Sequence, residues 1–255
     1  MEYHNPTMRV LRILELIDAS AGGLNLTDIS ERLALPKGTI SPILKTLAAN
    51  NYIVCDNRNI YRIGPHTFEL GLSYTNGQNA LSIIRNEIRS IVSQTGETCQ
   101  MGVLTGNDVH YLLKEEGHAV VSIISDVGNH IPAHITSLGK ALLAGKTDEE
   151  VRSMYSDYRF EAYTPHSIMD VDSLIENLHQ IRITGIAYEN EESNPDVCCA
   201  AVSLAENGVV KAAVSVSVPK FRYTPEKKDE VTRFLLQKRQ IIEESCRIRN
   251  CHLTF

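Results

Sequence analysis

No Cys-x-x-Cys pair occurs among the six cysteines Cys55, Cys99, Cys198, Cys199, Cys246 and Cys251, and no histidine stands at zinc-ligand spacing from them. That excludes the common structural zinc sites. No apolar run approaches the roughly 20 residues that a membrane-spanning helix needs, so no membrane partner is expected. Met1-Glu2-Tyr3-His4-Asn5-Pro6 does not show the basic-then-apolar order of a secretory leader, from which a cytoplasmic location is expected. Thiols there should be reduced and mostly buried. Neither an internal repeat nor a glycine-rich cofactor loop is present, and no cofactor or metal is expected.

A chain of 255 residues with 43% hydrophobic residues can form one large or two modest globular domains, each with its own core. The net charge of −6, taken whole, argues against nucleic acid. Its distribution argues otherwise. Residues 1–77 hold seven Lys or Arg against seven Asp or Glu, so all the excess acid lies beyond them. Five of those seven cations, Arg32, Lys37, Lys45, Arg58 and Arg62, fall within residues 24–63, where phosphates could be met.

That stretch reads as two short amphipathic helices followed by a strand pair. Leu26, Ile29 and Leu33 share one face of the first helix, and Ile40, Ile43, Leu44 and Leu47 form an unbroken stripe on the second. Thr27 is expected as the first N-cap, with Asp28 at the positive helix end. Pro42 cannot sit deep in a helix, so Thr39 is expected as the second N-cap and Pro42 as the third helical residue. Lys37 and Gly38 would then lie just outside that helix, placed to meet a phosphate. Opposite the apolar stripe, Ser41, Pro42, Lys45 and Thr46 are small or polar, as a helix entering a major groove requires. Residues 52–55 and 60–63, joined by Asp56-Asn57-Arg58-Asn59, read as a wing.

The segment therefore reads as a winged helix-turn-helix. Candidate contacts to double-stranded operator DNA are Lys37, Thr39, Ser41, Pro42, Lys45 and Thr46, with Asn57 and Arg58 from the wing. An ordinary helix pair in a core shows the same stripes; the adjoining wing favours DNA.

A leading helix is expected over residues 8–20, ended by Ala21-Gly22-Gly23, which places the DNA-binding domain at 1–64. Gly64-Pro65 opens a helix over 66–73, and Tyr74-Thr75-Asn76-Gly77 loosens it, giving a linker over 65–77 and a second domain over 78–255. That domain starts with a helix over 80–94 and strands over 99–104, 109–114 and 120–125. Helices over 136–144, 149–154 and 171–184 follow, then strands over 186–189, 198–204 and 209–218 and a final helix over 225–249. Meandering strands with helices grouped between them predict an α+β chain, its C-terminal domain an antiparallel sheet flanked by helices.

Five segments, in order, resemble the IclR family of bacterial transcription regulators across nearly the whole chain. They are Leu35-Pro36-Lys37-Gly38-Thr39-Ile40, Tyr61-Arg62-Ile63-Gly64-Pro65, Thr95-Gly96-Glu97-Thr98, and Ile131-Pro132-Ala133-His134-Ile135-Thr136-Ser137-Leu138-Gly139-Lys140-Ala141-Leu142-Leu143-Ala144. The fifth runs from Ile181-Arg182 through Gly185-Ile186-Ala187-Tyr188-Glu189-Asn190-Glu191-Glu192 to Cys199 and on to Val214-Ser215-Val216-Ser217. The resemblance implies a GAF-like effector domain, a homodimer or dimer of dimers, and a small, anionic effector such as an organic acid or sugar acid. Carried over by position, Ser137, Leu138, Gly139, Glu189, Cys199, Ser215 and Ser217 would bind it. A helix beginning near Thr136 offers N–H groups to a carboxylate, and Ser215 and Ser217 share one sheet face. Glu189, standing where the family commonly has aspartate, would accept from a ligand hydroxyl.

Ser215 and Ser217 could instead be the solvent face of an edge strand, and Cys199 a core residue. A cysteine-based redox sensor or enzyme is the competing function, but adjacent Cys198 and Cys199 rarely meet disulfide geometry, and no motif sets His134 or His179 beside Cys199. The chain is therefore not expected to be an enzyme. Ser41-Pro42 also replace the bulky or cationic residues common in the family's reading helix, so relatives' operators do not transfer.

Overall fold

The computed structural model describes residues 4–76, 79–117 and 126–255, and its contacts divide the chain into two compact units, 1–77 and 78–255. The strand expected over 120–125 lies outside the described residues.

In the first unit, helices α1 (Asn5–Asp18), α2 (Leu26–Leu33) and α3 (Lys37–Ala49) precede the strand pair β1 (Ile53–Cys55) and β2 (Tyr61–Ile63). Ile13, Ile29, Ile40 and Leu44 are wholly buried together, each contributing about 1.5–3 kcal/mol of apolar burial. The wing closes with Ile53 opposite Ile63 and Cys55 opposite Tyr61. A twelve-residue helix, α4 (Pro65–Asn76), follows Gly64, where a Cβ would collide with the Asn51 carbonyl.

Three helix starts differ from expectation, the first being α1, which begins at Asn5 rather than near residue 8, with Pro6 in its first turn. Asn25, not Thr27, caps α2: its Oδ1 accepts from the N–H groups of Thr27 (2.8 Å) and Asp28 (3.0 Å), while the Asp28 carboxylate accepts from Asn25 N–H (3.2 Å). This reciprocal box satisfies orphan donors on both sides and outcompetes a cap two residues later. Likewise α3 starts before Thr39. Pro36 is its N-cap, and the N–H groups of Thr39 and Ile40 already donate to the Pro36 carbonyl at 2.9 and 3.3 Å. Lys37 and Gly38 are therefore inside the first turn, and Pro42 lies in the helix interior. The Gly38 carbonyl loses its intrahelical donor there, which is tolerable because Gly38 is exposed to water.

The second unit is a six-stranded sheet, antiparallel throughout, in the order β5-β4-β3-β8-β7-β6. Its strands are β3 (Thr98–Thr105), β4 (Asp108–Glu115), β5 (His130–Pro132), β6 (Ala187–Asn190), β7 (Val197–Glu206) and β8 (Val209–Pro219). Helices α5 (Asn79–Thr95) and α9 (Pro225–Ile248) cover one face, packing Ile84, Ile88 and Leu235 on Met101, Val214 and Val216. The other face takes α6 (Ser137–Leu143), α7 (Asp148–Met154) and α8 (Val171–Thr184), whose Leu138, Leu142 and Leu178 meet Tyr111, Ala201 and Ala213. The α+β architecture is as expected; the three-residue β5 went unforeseen. No described helix is long and apolar enough to cross a membrane.

Candidate functional site

β8 decides where the two serines go. It lies between β3 and β7, so it is not an edge strand, and its period-two alternation sends Val214, Val216 and Val218 to the α5/α9 face. Ser215 and Ser217 therefore point toward α6, only 2% and 3% exposed. Strand register extends the polar row. Thr98 pairs with Ser217, Ser217 with Cys199, and Cys199 with Glu189, while Gln100 pairs with Ser215 one step along.

A cavity of about 160 Å³ opens over this row. Six of the seven residues nominated from sequence line it: Ser137, Leu138, Glu189, Cys199, Ser215 and Ser217. Gly139 does not. Its N–H donates to the Thr136 hydroxyl at 3.0 Å, and a Cβ there would run into the backbone of Ala133. Glycine at 139 thus answers a packing demand.

Gln100, Tyr111, Thr136 and His130 line the cavity too, with Tyr163, Ser193 and Asn194. Sequence reasoning missed them. The available signal was a glutamine at the middle of an otherwise apolar strand, but only pairing with Ser215 gives it meaning.

Glu189 is 1% exposed and anchored by its own loop: its Oε1 accepts from the N–H groups of Glu192 (2.6 Å) and Ser193 (3.1 Å). Among the described residues its buried Oε2 has no hydrogen-bond partner. Burial pushes its pKa up, against the opposing pull of the Cys199 thiol and those two N–H donors. The loop is fixed from outside. Lys140 Nζ meets the two Glu192 carboxylate oxygens at 2.6 and 2.7 Å, and the Ser167 hydroxyl donates to the Glu192 carbonyl at 2.7 Å.

Cys199 donates to Ser217 Oγ at 3.2 Å, and burial drives its thiol pKa well above the ordinary value. Cys198, facing the other way, is pushed up to about 11, chiefly by burial. Neither is a ready thiolate. Among the described residues no group of three or more His, Cys, Asp or Glu could hold a metal ion.

In the first unit, the outward side of α3 exposes Pro42, Lys45 and Thr46, with Thr39 and Ser41 half-buried beside them. Lys37 folds back to donate to the Thr27 hydroxyl at 2.8 Å, and Thr46 donates to the Pro42 carbonyl at 3.0 Å. Asn57 and Arg58 are exposed at the wing tip. Asp56 organises that turn, accepting from the N–H groups of Arg58 (2.8 Å) and Ile60 (3.0 Å), and the Arg62 guanidinium beside it lowers its pKa to about 2.

Known proteins align with both units. The family model described as "Bacterial transcriptional regulator IclR C-terminal" matches residues 72–243, and the "IclR helix-turn-helix domain" matches residues 6–56. The chain is 33% identical to the HTH-type transcriptional regulator BhcR of Paracoccus denitrificans over 84% of this chain and 77% of that protein. It is 32% identical to the regulator XynR of Escherichia coli over 82% of this chain and 84% of the relative. Among solved structures, an IclR homologue from Microbacterium hydrocarbonoxydans complexed with 4-hydroxybenzoate superposes with a TM-score of 0.85 at 24% identity. That match covers 95% of this chain and 99% of the other. The Thermotoga maritima IclR gives a TM-score of 0.80 at 24% identity, covering 95% and 99%.

Proposed function

Because this chain belongs to the IclR family of DNA-binding transcriptional regulators with an effector-binding C-terminal domain, we propose that it reads a near-palindromic operator as a homodimer or dimer of dimers and is switched by a small organic acid. The observation that carries the effector half is the buried row of Ser217, Cys199 and Glu189, with Ser215 beside it, under one cavity. Polar side chains gathered under an opening offer donors and acceptors to a compact polar ligand, as orienting groups in a binding cavity do. At about 160 Å³ the cavity holds on the order of five waters' share of liquid volume, which suits a small molecule. The solved homologue bound to 4-hydroxybenzoate supports an acid of that class.

Ser41, Pro42, Lys45 and Thr46 on the open side of α3 meet the major groove in this reading, with Lys37 and Arg58 on phosphates and Asn57 at the wing. A cysteine enzyme or redox sensor is disfavoured by the raised thiol pKa values of Cys198 and Cys199. The protein is a regulator acting in the cytoplasm, with no catalytic step of its own.

The test uses the full chain. Small organic acids are screened by thermal shift, and operator binding is then followed by fluorescence anisotropy with and without each hit. Ser215→Ala and Ser217→Ala should each weaken the response to the acid by roughly ten- to a hundredfold, the value of about 1.5–3 kcal/mol for a hydrogen bond to a charged ligand. Operator binding without acid should persist. Undiminished response in both variants would remove the serines from the site.

A further inference from the structure

An acid entering this cavity meets an electrostatic conflict. Among the described residues that line it there is no lysine or arginine, while Glu189 is a carboxyl group already inside. The adjacent cation, Lys140, is wholly buried and committed to Glu192. Two carboxylates brought together at a largely buried group favour the state in which one of them holds a proton.

The geometry says which oxygen would carry it. Glu189 Oε1 is engaged as an acceptor by two backbone N–H groups, which fits a carbonyl-type oxygen. Oε2 is buried and unpartnered among the described residues, in a side chain that lines the cavity. An O–H there can donate to a ligand in the cavity.

Resting on the organic-acid reading above, we propose that Glu189 recognises the effector as a neutral carboxylic acid, its Oε2–H donating to the ligand carboxylate, so that effector binding takes up one proton from solvent. Before binding, Glu189 is ionised in a fraction of molecules set by pH; after binding, one proton lies between the two carboxyl groups and the complex carries one negative charge there instead of two. The upward push on the Glu189 pKa from burial runs in the same direction before any ligand arrives.

The titratable groups around Glu189, on its face of the sheet or behind it, leave it the main titrating partner. Cys198 and Cys199 come from β7, Tyr111 from β4 and Tyr223 from the turn after β8, all with pKa values raised by burial. On its own loop stands Glu192, paired to Lys140 of α6. Among the described residues lining the same cavity, His130 of β5 is the only histidine.

Isothermal titration calorimetry on the full chain tests this, using lactate, glycolate, glycerate and 4-hydroxybenzoate, each beside its primary amide. Acid binding is measured across pH in buffers of different ionisation heat. Expected are uptake approaching one proton per acid bound above the free-state pKa of Glu189, and affinity falling about tenfold per pH unit there. The amides should bind without uptake. In Glu189→Gln the amide keeps the acceptor for both backbone N–H groups and places an N–H donor at the Oε2 position. Acid affinity in that variant should become flat with pH and exceed wild type at alkaline pH.

Acid binding with no proton uptake, lost in Glu189→Gln and weakened in Ser215→Ala, would overturn the proposal while keeping the cavity as the site, with Glu189 an ionised acceptor for a ligand hydroxyl. Uptake that vanishes in His130→Gln but survives in Glu189→Gln would also overturn it. If no acid binds at millimolar concentration, or binding ignores Ser215→Ala and Glu189→Gln alike, the organic-acid reading of the cavity falls as well. Proton uptake by the wild-type chain keeps the test decisive even if a variant folds poorly.

Discussion

Lys140, fully buried at the second turn of α6, places its ammonium 2.6 and 2.7 Å from the two carboxylate oxygens of Glu192, fifty-two residues later in the chain. The pair ties the α6 side of the cavity to the loop whose N–H groups hold Glu189. Charge buried this way is stable only while both partners remain. Lys140→Ala should destabilise the chain by about 3–5 kcal/mol in urea unfolding, because it strands Glu192. The double variant Lys140→Met, Glu192→Leu should recover most of that loss; a double variant as unstable as Lys140→Ala would show that the pair does more than neutralise itself.

His134 should make stability depend on pH. Its ring is wholly buried among Tyr155, Tyr158 and Phe160, with centroids 6.0, 5.4 and 4.9 Å away. Burial first, then the Lys140 charge, lowers its pKa from 6.5 to about 4. The unfolded chain therefore binds the proton more readily between those values. The favourable contribution is complete above pH 6.5 and is lost as pH falls to about 4, worth roughly 2–4 kcal/mol. Wild type should lose that much stability relative to His134→Phe as pH falls through the window; a constant difference would mean that folding leaves the imidazole as basic as water does.

Gly139→Ala should lower the thermal midpoint by several degrees. The added methyl collides with the Ala133 backbone, and such overpacking costs roughly 1–3 kcal/mol. An unchanged midpoint would show that α6 can shift away at no cost, and glycine would then need another explanation.

Lys37→Ala should weaken specific and non-specific DNA binding alike and flatten the salt dependence by about one ion, as expected of a phosphate contact. Free of DNA, its ammonium rests on the Thr27 hydroxyl 2.8 Å away, a bond weak enough to exchange for a phosphate. Changed base preference with an unchanged salt slope would place Lys37 on a base edge.

Some of this protein is written in local pattern. The stripe Ile40, Ile43, Leu44, Leu47 specifies α3 because helical period alone puts those residues on one side, and α8 spans the expected residues 171–184 for the same reason. The alternation of Val214, Ser215, Val216 and Ser217 likewise splits β8 into two faces whatever surrounds it. Helix starts were less legible. Asn25 wins as a cap through a reciprocal box with Asp28, Pro36 through a carbonyl that accepts from Thr39 and Ile40, and Pro42 is tolerated inside α3 because water reaches Gly38.

Tertiary structure decided the rest. That both faces of β8 are covered follows from helices packed on the two sides of the sheet, and its pairing with β3, more than a hundred residues earlier, is encoded by no local period. The same register brings Glu189, Cys199 and Ser217 into one row, sets Gln100 against Ser215, and leaves Gly139 outside the cavity as a packing residue. Local periodicity is a property of neighbouring backbone angles and can be read from the sequence. A site assembled across four strands depends on long-range contacts, and only the folded chain fixes which polar groups are buried together.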